Sequence, residues 1–101
     1  MSGRNEYPLE LTINDKLIHR LIIDQHYKEK HHGSVNDSLI LDLVKTIDGE
    51  TFEIERENGI FQYFTAEPVF KDDKPYRLVL LLCVCDDYLG VINAFRVDRK
   101  D

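Results

Sequence analysis

Apolar and polar residues alternate near the start of the chain, and this pattern predicts a β-hairpin. Residues 7–13 (YPLELTI) place an apolar side chain at every second position, which is typical of a half-buried strand. Asn14 and Asp15 supply a two-residue turn, and residues 16–23 (KLIHRLII) form the returning strand. A competing interpretation makes residues 15–30 one helix. The hairpin is favoured by the β-branched side chains of the segment, which are Ile18, Ile22 and Ile23.

Two helices are expected after the hairpin. Asp24 can cap a short helix over residues 25–31, which the sequence HGS at residues 32–34 ends. A second helix is predicted over residues 37–47, with Asn36 or Asp37 as its cap. Apolar residues at helical spacing give this second helix one apolar face, made of Leu39, Ile40, Leu43, Val44 and Ile47.

Four further strands are predicted, over residues 51–56, 60–65, 76–85 and 88–97. Asn58-Gly59 separates the first two and is a strong hairpin signal. The third is almost continuously apolar, as in a central strand, and Asp86-Asp87 turn it back into the fourth. The expected order is β-β-α-α-β-β-β-β. It predicts an α+β domain with an N-terminal hairpin, two helices and a four-stranded antiparallel sheet, with the helices packed on one face.

Length and composition limit what the chain can be. It has 101 residues, 43% of them hydrophobic, so we expect one domain over residues 1–101, with flexible polar ends at 1–6 and 98–101. The net charge of -6 argues against a nonspecific nucleic-acid binder and favours either solubility or a basic partner. The longest apolar run, residues 78–84, is too short to span a membrane, and no signal-peptide pattern opens the chain. We therefore expect a cytoplasmic protein without a membrane partner.

The turn at Asp86-Asp87 also fixes an expected strand register. A two-residue turn there places Arg77 opposite Arg96, and like charges directly across a sheet destabilise it. Either a carboxylate from residues 50–57 or an anionic ligand, phosphate or carboxylate, is then expected to compensate the two guanidinium groups. A register shift of one residue removes this argument.

A basic segment stands out against the acidic total. Residues 16–32 hold all four histidines and a formal charge of +2, because four Lys and Arg residues oppose two acids. In the first predicted helix, His26 and Lys30 lie one turn apart on the same face. Histidine exchanges a proton near neutral pH, and a nearby cation can stabilise a developing phosphate charge. Such a set can cleave RNA through its 2′-hydroxyl without a metal.

Three other interpretations of this segment stay open. It can be an exposed basic helix whose cations complement the helix dipole. It can be a metal site, although its candidate ligands lack a recognised spacing; they are Asp24, His26, His31 and His32. Nucleophilic catalysis is the third, but neither the two cysteines nor Ser34 and Ser38 show a triad pattern.

The predicted order of elements, two helices followed by a four-stranded antiparallel sheet, resembles the small microbial ribonuclease toxins of the barnase–EndoU–colicin–RelE group. The similarity covers roughly residues 24–97 and rests on layout, in the segments IIDQHYKEKHHGSVNDSLILDLVK, FQYF, KPYRLVLLL and YLGVINAFRV. The acidic composition departs from that group, whose members are usually basic. The resemblance implies a site made of His26, Lys30, Tyr63, Arg77 and Arg96.

Two functional hypotheses follow, and whether the protein is an enzyme is left open. The first is a metal-independent, cofactor-free ribonuclease. Its catalytic residues are His26, His31, Lys30 and Tyr63, and its anion-binding residues are Arg77 and Arg96. The second is a non-enzymatic acidic binding protein, immunity-like or antitoxin-like, that offers residues 37–73 to a basic protein, or a homodimeric interaction module. The expected partner is thus RNA, another protein or a second copy of the chain.

Overall fold

Six β-strands form one mixed sheet in the computed structural model, which describes residues 3–28 and 35–97. The strands are β1 (Arg4–Ile13), β2 (Lys16–Asp24), β3 (Arg56–Asn58), β4 (Phe61–Lys71), β5 (Lys74–Cys83) and β6 (Tyr88–Arg96). Their order across the sheet is β1-β2-β6-β5-β4-β3, and β2 runs parallel to β6 while all other neighbours are antiparallel. A 3-10 helix, Gln25–Tyr27, follows β2, and helix α1 spans Asp37–Lys45.

The predicted fold class, an α+β domain with a four-stranded antiparallel sheet and two helices on one face, is wrong. The sheet has six strands and is mixed, and the described residues contain one α-helix. The hairpin does form, with Asn14 and Asp15 at positive φ in its turn, but it is not a separate unit. Its second strand pairs with β6 from Arg20 opposite Tyr88 to Ile23 opposite Val91. This parallel pairing makes the hairpin part of the sheet.

The first predicted helix, over residues 25–31, is only partly described. Its beginning is the 3-10 helix, in which the Asp24 carboxylate accepts a hydrogen bond from the His26 backbone N–H at 2.8 Å. Residues 29–34 lie outside the described part of the chain, and with them Lys30 and His31. Within the described ranges, no helix is long and apolar enough to cross a membrane.

Helix α1 contributes its apolar face to a core on one side of the sheet. Asn36 is its N-cap and accepts a hydrogen bond from the Leu39 N–H at 2.8 Å. Ile40, Leu43 and Val44 are fully buried. They belong to one cluster with buried strand residues, which include Leu11, Ile13, Ile18, Leu21, Ile23, Phe64, Leu78, Leu80, Leu82, Leu89 and Val91.

The predicted pairing of Arg77 with Arg96 is also wrong. Arg77 lies opposite Phe95, and Arg96 lies opposite Tyr76. The connection between β5 and β6 comprises residues 84–87 rather than two residues, and a register irregularity follows at Val79 and Leu80. A net shift of one residue moves a side chain to the other face of a sheet. Arg77 and Arg96 therefore lie on opposite faces of the sheet, and no anion is needed to compensate a repulsion between their guanidinium groups.

Candidate binding face of the sheet

Side chains on the sheet face opposite the core stay half exposed. Strand residues alternate between the two faces of a sheet. The residues that alternate with the buried ones, and pair with one another across the strands, therefore lie on this second face. Among the described residues, no helix packs on it. We call it the open face; its central strands present Arg20, Ile22, Phe61, Tyr63, Thr65, Arg77, Val79, Leu81, Tyr88, Gly90 and Phe95.

A depression of about 210 Å³ lies on the open face. Its lining includes Gly90, which lacks a side chain, whereas the cross-strand neighbours Ile22 and Leu81 carry large ones. A Cβ atom at position 90 would lie 3.0 Å from Leu81 Cγ, so the Leu81 side chain leans over the glycine. The depression is also lined by three aromatic rings and two charged groups, which belong to Phe61, Tyr63, Tyr88, Arg4 and Asp24.

Arginine side chains lie over the aromatic rings of this face. The Arg56 guanidinium is 4.7 Å from the centre of the Tyr63 ring, and the Arg20 guanidinium is 5.5 Å from that of Tyr88. Such cation–π contacts hold the rings in place while their remaining surface stays accessible. Each of the two tyrosines that line the depression therefore has an arginine over its ring.

Carboxylates surround Arg20 at one side of the open face. Its guanidinium lies 3.2 Å from Glu6, 2.9 Å from Asp86 and 3.3 Å from Asp87. The hydrogen bonds to Glu6 and Asp86 raise the pKa of Arg20. The Asp87 backbone N–H and, after it, Arg20 lower the pKa of Asp86. One cation thus faces three anions, and this part of the face is acidic.

The predicted anion-binding residue Arg77 also has a carboxylate next to its guanidinium group. Its Nε lies 3.4 Å from Glu67 Oε1, which is close enough for charge pairing but not aligned as a hydrogen bond. The guanidinium is 5.9 Å from the centre of the Phe95 ring. An incoming phosphate would have to displace Glu67 from this cation.

The structure does not bring the predicted site residues together. Tyr63 and Arg77 are on the open face, whereas Arg96 shares the opposite face with the buried Tyr76. His26 lies in the 3-10 helix. Because β2 and β6 are parallel, that helix lies at the end of the sheet where β6 terminates, and it contacts β6. His26 and Arg96 therefore share one end of the sheet, away from Tyr63. Lys30 and His31 lie outside the described residues.

A histidine–carboxylate pair that the sequence did not single out lies beside Arg20. His19 Nδ1 is 2.9 Å from Asp87 Oδ2, and its Nε2 is 4.0 Å from Glu10 Oε2. The pair depends on the parallel contact of β2 with the start of β6, which no local sequence pattern signals. Across residues 3–28 and 35–97, no group of three or more His, Cys, Asp or Glu side chains could hold a metal ion.

A second polar cluster missed by the sequence surrounds Asp37, the first residue of α1. Its carboxylate accepts hydrogen bonds from the Tyr7 and Tyr27 hydroxyls, both at 2.6 Å, and from Asn5 at 2.8 Å and Gln25 at 3.2 Å. Burial alone would raise the pKa of Asp37, but these donors together lower it. Burial and the bond to Asp37 raise the pKa of Tyr27. The tyrosines therefore stay protonated and donate hydrogen bonds. The cluster links β1 and the 3-10 helix to α1 through these hydrogen bonds.

Comparisons with protein-family models, curated proteins and solved structures found no match for this chain. The resemblance to ribonuclease toxins therefore stays a prediction.

The acidic side of the open face leads to a prediction about salt. We expect Arg20→Ala to lower stability most at low ionic strength, because Glu6, Asp86 and Asp87 then repel one another without a cation between them. Urea denaturation at about 0.01 M and about 1 M salt, where the screening length falls from roughly 30 to 3 Å, measures this effect. Arg77→Ala is the control, because Arg77 has one carboxylate neighbour. A loss that is equal at both salt concentrations would contradict the prediction.

Proposed function

We propose that this protein is a non-enzymatic binding domain whose open face binds a protein with a basic surface. The observation that carries the proposal is a depression with aromatic walls beside a region where three carboxylates surround one arginine. Tyrosine, phenylalanine and arginine are enriched where protein interfaces bury their central residues. A half-exposed apolar sheet face of this composition is therefore typical of a docking surface.

The charge of the face decides among the possible occupants. Nucleic acids bind through free lysine and arginine side chains, and two of the arginines at the open face, Arg20 and Arg77, already face carboxylates. A second copy of the chain carries the same net charge of -6, so two copies repel each other over long distances. A basic protein is attracted by both the total charge and the acidic side of the face. This is the relation of an immunity protein or antitoxin to a basic toxin.

One observation favours a second candidate function, metal-independent RNA cleavage. The parallel pairing of β2 with β6 places His26 at the same end of the sheet as Arg96. If the protein cleaves RNA there, its expression should slow the growth of the host and His26→Ala should restore that growth. RNA cleavage by the purified protein that His26→Ala abolishes would replace the binding proposal.

The binding proposal is tested with the open face altered. A partner captured from extracts of the source cells should be a basic protein. We expect Tyr63→Ala to weaken the purified complex at least about tenfold, because truncating a central interface tyrosine removes a large share of the binding energy. Titration calorimetry at two salt concentrations measures the affinity, which should fall as salt rises.

Asp42→Ala on helix α1 is the control, because Asp42 is half-buried and its ion pair with Lys71 lies away from the open face. This variant should bind the partner as the wild-type protein does. An acidic partner, or an affinity that Tyr63→Ala leaves unchanged, would refute the proposed use of this face.

A further inference from the structure

The size of the depression indicates what enters it. Pockets for small molecules and cofactors enclose roughly 300–1,000 Å³. The depression measures about 210 Å³ and is open to solvent. It is therefore too small for most cofactors and suits one large side chain of a bound protein, in the way that interface hot spots are filled by single anchor residues.

The lining indicates the type of side chain. Phe61, Tyr63 and Tyr88 offer aromatic rings, which pair favourably with another aromatic ring in stacked or edge-to-face contact. Asp24 and Arg4 add one acceptor and one set of donors at the same site. Tryptophan and tyrosine combine a ring with a polar tip, so they fit this lining better than an aliphatic side chain does.

The surroundings indicate the neighbours of that side chain. Tyr88 lies between the depression and the acidic side of the face. The Arg20 guanidinium lies over the Tyr88 ring, and the carboxylates of Glu6, Asp86 and Asp87 surround that guanidinium. Lysine or arginine next to the inserted ring would meet these carboxylates.

We infer that the depression over Gly90 is an anchor subsite that takes one aromatic side chain, tryptophan or tyrosine, from a segment with flanking basic residues. This inference rests on the proposed function and specifies the partner. A Cβ atom at position 90 would crowd the Leu81 side chain, which also lines the depression, so we expect a larger residue there to displace Leu81 and change the shape of the subsite.

The test uses two peptide probes, acetyl-Lys-Lys-Trp-Lys-Lys-amide and its counterpart with alanine in place of tryptophan. Each is titrated into the ¹⁵N-labelled protein and followed by NMR. We expect the tryptophan peptide to shift the amide signals of Gly90 and Leu81 and to bind roughly tenfold more tightly than the alanine peptide. Gly90→Ala should remove this preference while both peptides keep their weak, salt-sensitive binding.

Val79→Ile is the matched control, because it also adds one carbon to the open face but does not line the depression. It should leave the preference for tryptophan intact. If Gly90→Ala does not fold, Phe61→Ala, which removes one aromatic wall, should reduce the same preference.

The outcomes separate the inference from the proposed function. Equal binding of the two peptides on the open face, or a preference for tryptophan that survives Gly90→Ala, overturns the anchor subsite and leaves the basic partner standing. Failure of both peptides to shift any open-face signal overturns the proposed function itself. Tighter binding of a single-stranded oligouridylate than of the tryptophan peptide on this face overturns both.

Discussion

Replacing Asp37 by alanine should lower the free energy of unfolding by about 3 kcal/mol. The carboxylate is the common acceptor for Tyr7, Tyr27, Asn5 and Gln25, and Tyr27 is only 1% exposed. Without it, the buried Tyr27 hydroxyl loses its partner, and leaving a buried polar group unpaired is more destabilising than the loss of an exposed hydrogen bond. Urea denaturation followed by circular dichroism measures the change.

Asp42→Ala is the matched control, because it removes a carboxylate from the same helix, and the ion pair of that carboxylate with Lys71 is partly exposed. We expect it to change stability by less than about 1 kcal/mol. Tyr27→Phe removes the same hydrogen bond from the other side. The double variant should therefore lose less than the sum of the two single changes. Additive losses would show that the two groups are not coupled.

The same carboxylate should make stability depend on pH. Its hydrogen bonds lower the pKa of Asp37 below the usual value of 3.8, so the folded state favours the charged form. The stabilisation is complete above the pKa of the unfolded chain and is lost as pH falls through the lower folded pKa. The stability difference between the wild-type protein and Asp37→Asn should therefore narrow below about pH 4. A difference that stays constant down to about pH 2 would contradict the assignment.

Leu89→Ala should lower the free energy of unfolding by about 3 to 4 kcal/mol. Leu89 is fully buried and lies between Leu21 on the parallel neighbour β2 and Leu82 on the antiparallel neighbour β5. Truncation leaves a cavity where the hairpin joins the rest of the sheet. Leu17→Ala is the control, because Leu17 is 53% exposed and should change stability by no more than about 0.5 kcal/mol.

Hydrogen exchange extends this prediction to the topology. If β2 and β6 are paired in parallel, Leu89→Ala should speed amide exchange in the β1–β2 hairpin as well as in β5 and β6. Exchange in the hairpin that stays unchanged would show that it is an independent unit and would contradict the parallel pairing. Leu89→Val, with an expected loss of about 1 kcal/mol, serves if the alanine variant does not fold.

Local sequence patterns predicted some of the local elements, but the strand expected over residues 51–56 is wrong, because the strand there is Arg56–Asn58. Alternation and the Asn14-Asp15 turn gave the hairpin, and Asn36 with a helical apolar stripe gave α1. These features depend on residues a few positions apart, so the sequence alone carries them. Asp37 was recognised only as a possible cap. Its actual role depends on Tyr7 and Tyr27, which approach it from other elements.

The sequence by itself thus determined an acidic chain with a hairpin, a helix and a run of apolar strands. Only the tertiary structure decided that β2 lies beside β6, because parallel pairing joins segments far apart in the chain and leaves no mark on the periodicity of either. The register shift between β5 and β6 separated Arg77 from Arg96. The parallel pairing, together with the pairing of β5 and β6, placed Gly90 between Ile22 and Leu81. The residues that line the depression on the open face come from five strands, β1, β2, β4, β5 and β6, so no single stretch of sequence could have shown it.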